Sequence, residues 1–330
     1  MYEFPLLIGD IGGTNARFAV LTAPGGPVVL LPKQLTADFS EPAAAIEAAL
    51  AGQICPSPRA AFLAVATRVD GPVVRLTNAA WTIDAARIGS ALDLDSVSLV
   101  NDYVPVAAAS CDLDEAVHLA RLGPPVCGTP GARLVLGPGT GLGAGVLIPI
   151  GDRFLVHPTE AGHVDFGPSD EEEASLWPLI ERVDGRIAAE TILSGPGLYR
   201  LYRAIAHRGG AGVAYGTPND VIVGGMAGEP MAGETLGLFG RLLGRFAGDL
   251  ALLFGATSGV FIGGGIAPSI LDALRREFRA PFERKSPYEE LMRQVPSFVV
   301  IQRDHAFTGL AAIAADPERF VFQADGWTRP

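Results

Sequence analysis

The sequence predicts an α/β fold with two related lobes, and three observations support this prediction. Short apolar runs alternate with segments of helical character along the whole chain, which is typical of a mostly parallel or mixed sheet covered by helices. Two segments about half the chain apart share one design: an apolar run, a turn rich in glycine and threonine, and a second apolar run. The 330 residues are 48% hydrophobic, which suits roughly two domains with sizeable cores.

The first half of the chain begins with one of these repeated units. LLIGDIGGTNARFAVL, from Leu6 to Leu21, predicts a strand, a tight glycine turn and a second strand. The next predicted elements are a helix, two strands and a helix, at 42–51, 61–66, 97–100 and 104–109. The second repeated unit starts at Arg133 with RLVLGPGTGLGAGVLIPI.

The second half is richer in helices. Helices are predicted at 181–193, 198–206 and 231–254, followed by a strand, glycine turn and helix start in GVFIGGGIAPSI, a strand at 298–301 and a terminal helix at 308–315. The acidic run 170–173 predicts a helix start with Ser169 as its N-cap. The Gly- and Pro-rich stretch 123–131 is the best candidate for a hinge between the lobes.

Charge and cysteine content limit the classes of partner. The formal charge is −11 and there is no basic block, which argues against nucleic acid, although backbone amides could still bind a nucleotide. Three scattered cysteines without a CxxC pair predict reduced thiols, and MYEFPLLIGDIGG lacks the basic region of a signal peptide, so we expect a cytoplasmic protein. The uncharged stretch from Leu250 to Leu271 is broken by three glycines and Pro268, so we predict no membrane span.

Three glycine clusters carry the first functional signal. They are Gly9 to Thr14, Gly137 to Gly143 and Gly263 to Gly265. Glycine lets backbone amides converge on a phosphate, and each cluster alone could equally be a tight turn. The three together favour nucleotide binding. No GxxxxGK[ST] motif is present, and the G-x-G-x-x-A match at Gly139 precedes a strand-like run, so neither a P-loop nor a dinucleotide fingerprint is indicated.

Five polar residues are candidates for binding and catalysis. Asn101 and Asp102 directly follow a buried strand, where α/β folds bind ligands; Asp102 could accept a hydroxyl proton, or cap the next helix, or do both. Glu160 and His163 lie in a segment too rich in Gly and Pro for a helical metal motif, and they suit a hydroxyl-rich ligand. Glu190 lies on a mostly apolar predicted helix, and taken alone a solvent-facing position is favoured.

Six segments in this order resemble the bacterial glucokinases of the hexokinase group, in the actin-like ATPase superfamily. They are LIGDIGGTNARFAVL, LVNDYVPVAAA, LVLGPGTGLGAGVLI, EAGHVDFGP, AAETILSGPGLYRLYRAI and SGVFIGGGIAP. The resemblance implies a two-lobed actin-like ATPase (ribonuclease H-like) fold with a central cleft. It also implies a small lobe of residues 1–110 plus 305–330 and a large lobe of residues 111–304, with the C-terminal helix returning to the small lobe. The segment after His163 has no cysteine, so it lacks the zinc motif of the ROK branch and is similar to the non-ROK enzymes.

The resemblance also implies an activity, the Mg-ATP-dependent phosphorylation of the 6-hydroxyl of D-glucose to glucose 6-phosphate. Asp102 matches the general base. The residues that match sugar-binding positions are Asn78, Asn101, Asp102, Glu160, His163 and Glu190. Those that match ATP-binding positions are Gly9, Asp10, Ile11, Gly12, Gly13, Thr14, Gly139, Thr140, Gly141, Gly264 and Gly265. Asp10 would orient Mg²⁺ through water, and the family suggests a homodimer.

Two alternatives stay open at the sequence level. One is a kinase for another hexose or an amino sugar, since hydroxyl-binding residues are shared among such enzymes. The other is a non-catalytic sugar sensor on the same fold; the intact Asp102 argues for catalysis, and we expect no DNA-binding segment before the first strand at Leu6. The sequence assigns no role to the Gly-rich segment 207–219.

Overall fold

The computed structural model describes residues 2–77, 79–125, 131–302 and 304–330. The strands, numbered along the chain, are β1 (Leu6–Ile11), β2 (Asn15–Leu21), β3 (Val28–Leu30), β4 (Gln34–Leu35), β5 (Ala60–Val65), β6 (Val73–Arg75), β7 (Thr82–Asp84), β8 (Ser96–Asn101), β9 (Leu119–Arg121), β10 (Arg133–Pro138), β11 (Leu142–Ile150), β12 (Arg153–Thr159), β13 (Gly259–Ile262), β14 (Ser297–Val300), β15 (Phe320–Val321) and β16 (Asp325–Thr328). The α-helices are α1 (Pro42–Leu50), α2 (Ala85–Ala91), α3 (Tyr103–Ala109), α4 (Glu115–His118), α5 (Glu171–Leu176), α6 (Ala189–Ile192), α7 (Gly195–Arg208), α8 (Pro218–Met226), α9 (Pro230–Phe254), α10 (Leu271–Glu277), α11 (Arg279–Glu283), α12 (Glu289–Gln294) and α13 (His305–Ala315).

The first large sheet has the strand order β16-β8-β5-β1-β2-β3, and β4 also pairs with β2. Strands β1, β5 and β8 run parallel, and every residue of β5 is buried, as expected for a central strand covered on both faces. In this register Ile11 pairs with Val65, and Val65 pairs with Asn101. Asp10 and Asp102 therefore lie at the same edge of the sheet, with β5 between their strands.

The second large sheet has the order β15-β12-β11-β10-β13-β14-β9. Strands β10, β13 and β14 run parallel. Because Leu136 of β10 pairs with Ile262 of β13, the turn after β10 and the glycine turn after β13 lie at one edge of this sheet. A separate pair, β6 and β7, forms a small antiparallel ribbon.

The chain forms two compact units. The first contains Met1–Leu113, Leu147–Pro158 and Arg303–Pro330, and the second contains Asp114–Val146 and Thr159–Gln302. Within the first unit, α13 packs closely on α3: a Cβ added at Gly309 would lie 1.8 Å from the carbonyl oxygen of Pro105. The C-terminal helix therefore returns to the unit that holds β1. The lobe bounds implied by the resemblance stay a prediction.

The predicted α/β class is confirmed, and both strand–turn–strand units are present as β1–β2 and β10–β11. The predicted helix at 181–193 is wrong for most of its length, because Asp184 and Gly185 have positive φ angles of 50° and 79° and Val183 bridges to Arg186. A tight turn replaces the helix there, and only α6 is helical. None of the helices in the described ranges is long and apolar enough to cross a membrane. Most of the predicted hinge, residues 126–130, lies outside the described residues.

Candidate active site

The first glycine cluster forms the turn between β1 and β2. Gly12 N donates to the carbonyl oxygen of Asn15 at 2.9 Å, which closes the turn, and the side chain of Thr14 is exposed. Gly9 lies inside β1, where a Cβ would be 2.7 Å from Leu63 Cδ2. Gly9 is therefore required for strand packing, while Gly12, Gly13 and Thr14 are placed at the surface of the turn.

Asp10 is held by an arginine that the sequence analysis did not single out. Arg17 lies opposite Asp10 in the hairpin, and its Nε donates to Asp10 Oδ2 at 3.1 Å while Nη2 contacts the same oxygen. Arg17 Nη1 also lies 2.5 Å from Asp304 Oδ1, and its guanidinium lies 5.6 Å from the ring centroid of Phe307. Burial alone would lower the pKa of Arg17, but the two carboxylates outweigh it, so the pKa is raised and the guanidinium stays charged.

The hairpin pattern contains the signal for Arg17. In an antiparallel pair closed by a short turn, residues equally far from the turn lie opposite each other, so Asp10 and Arg17 are expected neighbours. Asp304 has no such local signal. It precedes α13 with a φ of 59° and reaches Arg17 only through the tertiary fold.

The sequence left open whether Asp102 caps the helix that follows it, and the structure shows that the neighbouring Asn101 side chain does so. Asn101 Nδ2 donates to the carbonyl oxygen of Thr67 at 3.0 Å, and its Oδ1 accepts from Tyr103 N at 2.9 Å. Asp102 occupies the N-cap position of α3, but its carboxylate accepts no capping hydrogen bond from that helix. Asp102 N donates to the carbonyl oxygen of Val65 at 3.0 Å, which fixes its backbone at the end of β5. The side chain that supports the helix start is therefore that of Asn101.

Glu190 is bound to the second glycine turn. Its Oε2 accepts from Leu142 N at 2.7 Å, and a Cβ at Gly141 would lie 2.3 Å from the same oxygen. The solvent-facing interpretation of Glu190 is therefore wrong, because the short helix α6 directs this half-buried carboxylate onto the hairpin. The turn is further fixed by Gly139 N, which donates to Gly141 O at 2.8 Å, and by Gly195 N, which donates to Gly139 O at 2.8 Å.

The third glycine cluster packs against the same hairpin. Gly263 N donates to the carbonyl oxygen of Leu136 at 2.8 Å. Gly264 has a φ of 75°, and a Cβ there would lie 2.4 Å from the carbonyl oxygen of Pro138. Two of the three glycine clusters thus meet within the second unit, and Thr140 and Gly265 are exposed beside them.

The segment with Glu160 and His163 also converges on Leu142. Residues Ala161–His163 form one 3₁₀ turn, where the sequence predicted an open loop. A Cβ at Gly162 would lie 2.1 Å from the carbonyl oxygen of Leu142, so glycine permits the close packing. His163 Nε2 lies 3.9 Å from Glu160 Oε2, and the two side chains are 54% and 63% exposed. The backbone between Glu160 and His163 and the carboxylate of Glu190 therefore both meet the hairpin at Leu142.

Arg186 fixes the chain that follows His163. Its Nη2 donates to the carbonyl oxygen of His163 at 2.7 Å, and its Nε donates to Asp165 Oδ1 at 2.9 Å. Ala189 N also donates to the carbonyl oxygen of Val164 at 2.9 Å. The sequence analysis missed Arg186, since it lies in the segment predicted as a regular helix.

The acidic run is a structural feature. Asp170 Oδ1 accepts from Glu173 N at 2.8 Å, so Asp170 is the N-cap of α5, and the prediction for Ser169 is wrong. Buried Glu173 accepts from Ser169 N at 2.7 Å and pairs with Arg245, whose guanidinium lies 4.2 Å from the ring centroid of Phe166. Within the described ranges, no group of three or more His, Cys, Asp or Glu could hold a metal ion.

One predicted sugar-binding residue, Asn78, lies outside the described residues. Trp81, three residues further on, is buried, and its Nε1 donates to the carbonyl oxygen of Phe39 at 2.8 Å.

Comparisons with known proteins show what this chain is similar to. A family model described as "Glucokinase" matches residues 7–317. The glucokinase of Chelativorans sp. (strain BNC1) is 41% identical over 326 residues, which cover 98% of this chain and 95% of that protein. The crystal structure of a glucokinase from an Antarctic psychrotroph has a TM-score of 0.79 and 31% identity, covering 94% of this chain and 99% of its own. A ROK family glucokinase from Streptomyces griseus, solved with glucose and AMPPNP, has a TM-score of 0.65 at 20% identity and covers 94% and 98% of the two chains. These sugar kinases have the actin-like ATPase fold, which confirms the predicted fold.

Proposed function

The chain belongs to the glucokinase family, and on that premise we propose that it transfers the γ-phosphoryl group of ATP to the 6-hydroxyl of D-glucose. It is an ATP-dependent sugar kinase. The observation that supports glucose most directly is the arrangement around Leu142, where Glu190 bonds to the glycine hairpin and the segment that carries Glu160 and His163 packs against it. Carboxylates accept hydrogen bonds from hydroxyls, and histidine can donate or accept, so this set suits a polyhydroxylated ligand.

We propose that the sugar hydroxyls are bound by the residues Asn78, Asn101, Asp102, Glu160, His163 and Glu190. Both Nδ2 and Oδ1 of the Asn101 side chain are hydrogen-bonded to backbone groups, so this side chain is oriented before a ligand binds. Glu190 keeps Oε1 for a ligand, because the bond to Leu142 N uses Oε2. Groups that are fixed in advance lose less entropy on binding.

We propose that Asp102 is the general base. It would accept the proton of the 6-hydroxyl while that oxygen forms a bond to the γ-phosphorus, and the bond from the γ-phosphorus to the oxygen shared with the β-phosphate would break, releasing ADP. Its position directly after the carboxyl end of β8 supports this assignment. General-base assistance is typically worth about 10²–10⁴ in rate.

The glycine turns are proposed to bind the nucleotide. The turn residues Gly12 to Thr14, which β1 residues Gly9 to Ile11 hold in place, and the turn residues Gly139 to Gly141 would bind the phosphates through backbone amides and the hydroxyls of Thr14 and Thr140. Gly264 and Gly265 would lie near the adenosine. The contact between Gly264 and the turn after β10 supports this, because it places these two clusters side by side.

Asp10 fits Mg²⁺ held through water. Both contacts from Arg17 go to Oδ2, so the carboxylate retains acceptor capacity at Oδ1, while its ion pair with Arg17 favours a contact with Mg²⁺ through water. When bound, Mg²⁺ would neutralise charge on the phosphoryl oxygens. The part that this chain supplies is an oriented carboxylate whose position is fixed by Arg17.

We also propose three finer assignments. The segment after His163 contains no cysteine, which supports the non-ROK branch. A homodimer and a cytoplasmic location are carried over from the family. Light scattering coupled to size-exclusion chromatography would test the dimer, which a monomeric mass at micromolar concentration would contradict.

The activity is tested by a coupled assay for ADP release with Mg-ATP and glucose, fructose, mannose or N-acetylglucosamine as acceptor. We expect a strong preference for glucose in kcat/KM. Preference for another sugar would keep the fold and mechanism and change the substrate. Sugar binding without turnover on any of the four would favour the sensor and contradict the kinase proposal.

A further inference from the structure

A pocket of about 210 Å³ lies beside α7, apart from the residues proposed for sugar and nucleotide. Arg200, Arg203 and His207 line it from one face of that helix, since residues three, four and seven positions apart share a face. Glu181 supplies the one carboxylate of the lining. The pocket therefore combines two permanent positive charges and a histidine with one negative charge.

The opposite wall of the pocket is the Gly-rich segment to which the sequence analysis assigned no role. Ala211 and Val213 of this segment line the pocket. Two tyrosines of α7 anchor it: Tyr202 Oη accepts from Ala214 N at 3.2 Å, and Tyr199 Oη donates to the carbonyl oxygen of Tyr215 at 3.1 Å. The segment is thus anchored by hydrogen bonds to α7, and its apolar side chains line the pocket together with the basic side chains of that helix.

Among the described residues, the buried Nε of Arg200 is one of the few side-chain nitrogens without a hydrogen-bond acceptor. Its side chain is only 20% exposed, and within the described part of the chain its buried Nε donates to no acceptor. Glu181 Oε2 lies 4.0 Å from that nitrogen, too far for a hydrogen bond, while it pairs with Arg203 Nη1 at 3.2 Å. A buried guanidinium nitrogen without an acceptor is costly, so an anion in the pocket would be stabilised by it.

We propose that this pocket binds a small phosphate-bearing anion through Arg200, Arg203 and His207. Two guanidinium groups and an imidazole offer several donors to the oxygens of one phosphoryl group, and arginine matches that geometry well. The volume is below the range of about 300–1,000 Å³ that holds drug-sized ligands, which favours a compact molecule. Glu181 is 60% exposed and competes for Arg203, so binding would turn its carboxylate towards solvent.

The pocket has a direct connection to the site proposed for sugar. Arg200 Nη1 donates to the carbonyl oxygen of Thr191 at 3.4 Å, and Thr191 follows Glu190 in α6. An anion that reorients Arg200 would therefore change the support of the helix that positions Glu190, and the KM for sugar would change with it. This kinetic consequence rests on the proposed function, whereas anion binding itself does not.

The test is calorimetric titration of the full chain with inorganic phosphate and with glycerol 3-phosphate. Saturating glucose and a non-hydrolysable ATP analogue are present throughout, so that the proposed active site is filled. Arg203→Gln is expected to weaken binding by about tenfold or more, since it removes a charged donor. Glu181→Gln is expected to tighten binding, because it removes the competing carboxylate. Both variants break the same ion pair, so a purely structural role of that pair would shift them in the same direction.

Arg208→Gln is the matched control. Arg208 lies on the same helix, pairs with Glu234 and does not line the pocket, so an unchanged dissociation constant is expected. Tighter binding of glycerol 3-phosphate than of inorganic phosphate would assign the site to a phosphate monoester, and the reverse to the free ion. No saturable binding to the wild type, or equal effects of Arg203→Gln and Glu181→Gln, would overturn the proposal. Opposite shifts in a protein that lacks kinase activity would retain the site and reject only the proposed function.

Discussion

Glu190 reaches the second hairpin only because the residue beside its carboxylate is a glycine. Any side chain at Gly141 would begin 2.3 Å from Glu190 Oε2. At Gly139, two positions earlier, no heavy atom lies within 4 Å of the corresponding Cβ position. Two glycines of one turn therefore have different roles, the first leaving space at the surface and the second making room for a carboxylate.

Gly141→Ala is expected to weaken glucose binding by about tenfold or more, because the new methyl group displaces Glu190 from Leu142 N and from the sugar. Calorimetric titration with glucose, without nucleotide, measures this. Gly139→Ala is the paired variant. Its methyl group points into open space, so glucose affinity is expected to stay within about twofold. The KM for ATP is expected to rise, because that space is where the phosphates are proposed to approach the turn. Equal losses of glucose affinity in the two variants would contradict this account.

Asp10→Asn removes the charge that is proposed to orient Mg²⁺ while keeping an oxygen that can accept from Arg17. The Mg²⁺ concentration for half-maximal activity is expected to rise by about 10–100-fold, the usual range when a group behind a metal-bound ligand is changed. Glucose affinity is the internal control and should not change. An unaltered Mg²⁺ dependence would remove Asp10 from the metal site.

Among the elements, α3 depends on α13 for its position. The two helices touch where Gly309 meets the carbonyl oxygen of Pro105, and α3 begins directly after Asp102. Arg17 adds a second connection from the start of α13, through Asp304, to the hairpin of Asp10. The C-terminal helix therefore supports the two carboxylates at the edge of the first sheet, those of Asp10 and Asp102.

Gly309→Ala is expected to destabilise the protein by about 1–3 kcal/mol, the usual cost of overpacking, because a Cβ would lie 1.8 Å from Pro105 O. The shift of the midpoint of urea unfolding measures this loss of stability. Gly233→Ala is the matched substitution, in α9 with no atom within 4 Å, and should stabilise by about 0.5–1 kcal/mol through helix propensity. An unchanged midpoint in Gly309→Ala would show that the two helices can separate without cost.

Local patterns were sufficient for the elements that carry their own start and stop signals. Both hairpins could be predicted because a glycine cluster separates two apolar runs in each of them. The helix predicted at 181–193 is wrong there because the Asp184–Gly185 pair, a common turn signal, adopts positive φ angles and forms a turn. The chain needs that turn, since it brings Arg186 back to the carbonyl oxygen of His163.

At the scale of the whole molecule, motifs and resemblance predict candidate site residues, and they do not predict the contacts that hold those residues. The candidates include Asp102, Glu160, His163 and Glu190. Their supports lie elsewhere in the sequence: Leu142, which donates to Glu190, is 48 positions away, and Arg186, which donates to the carbonyl oxygen of His163, is 23 positions away. No periodicity or local propensity encodes such contacts, because they arise when separate elements pack together.

The proposed role of Asp102 is to accept the proton of the sugar hydroxyl in an ATP-dependent sugar kinase. Its most direct test is the turnover number of Asp102→Asn with Mg-ATP and glucose, measured beside the dissociation constant for glucose in the same preparation. We predict a loss of about 10²–10⁴ in kcat with glucose binding still measurable, since the amide keeps a polar group in place but is not a base. Turnover near that of the wild type would contradict the assignment.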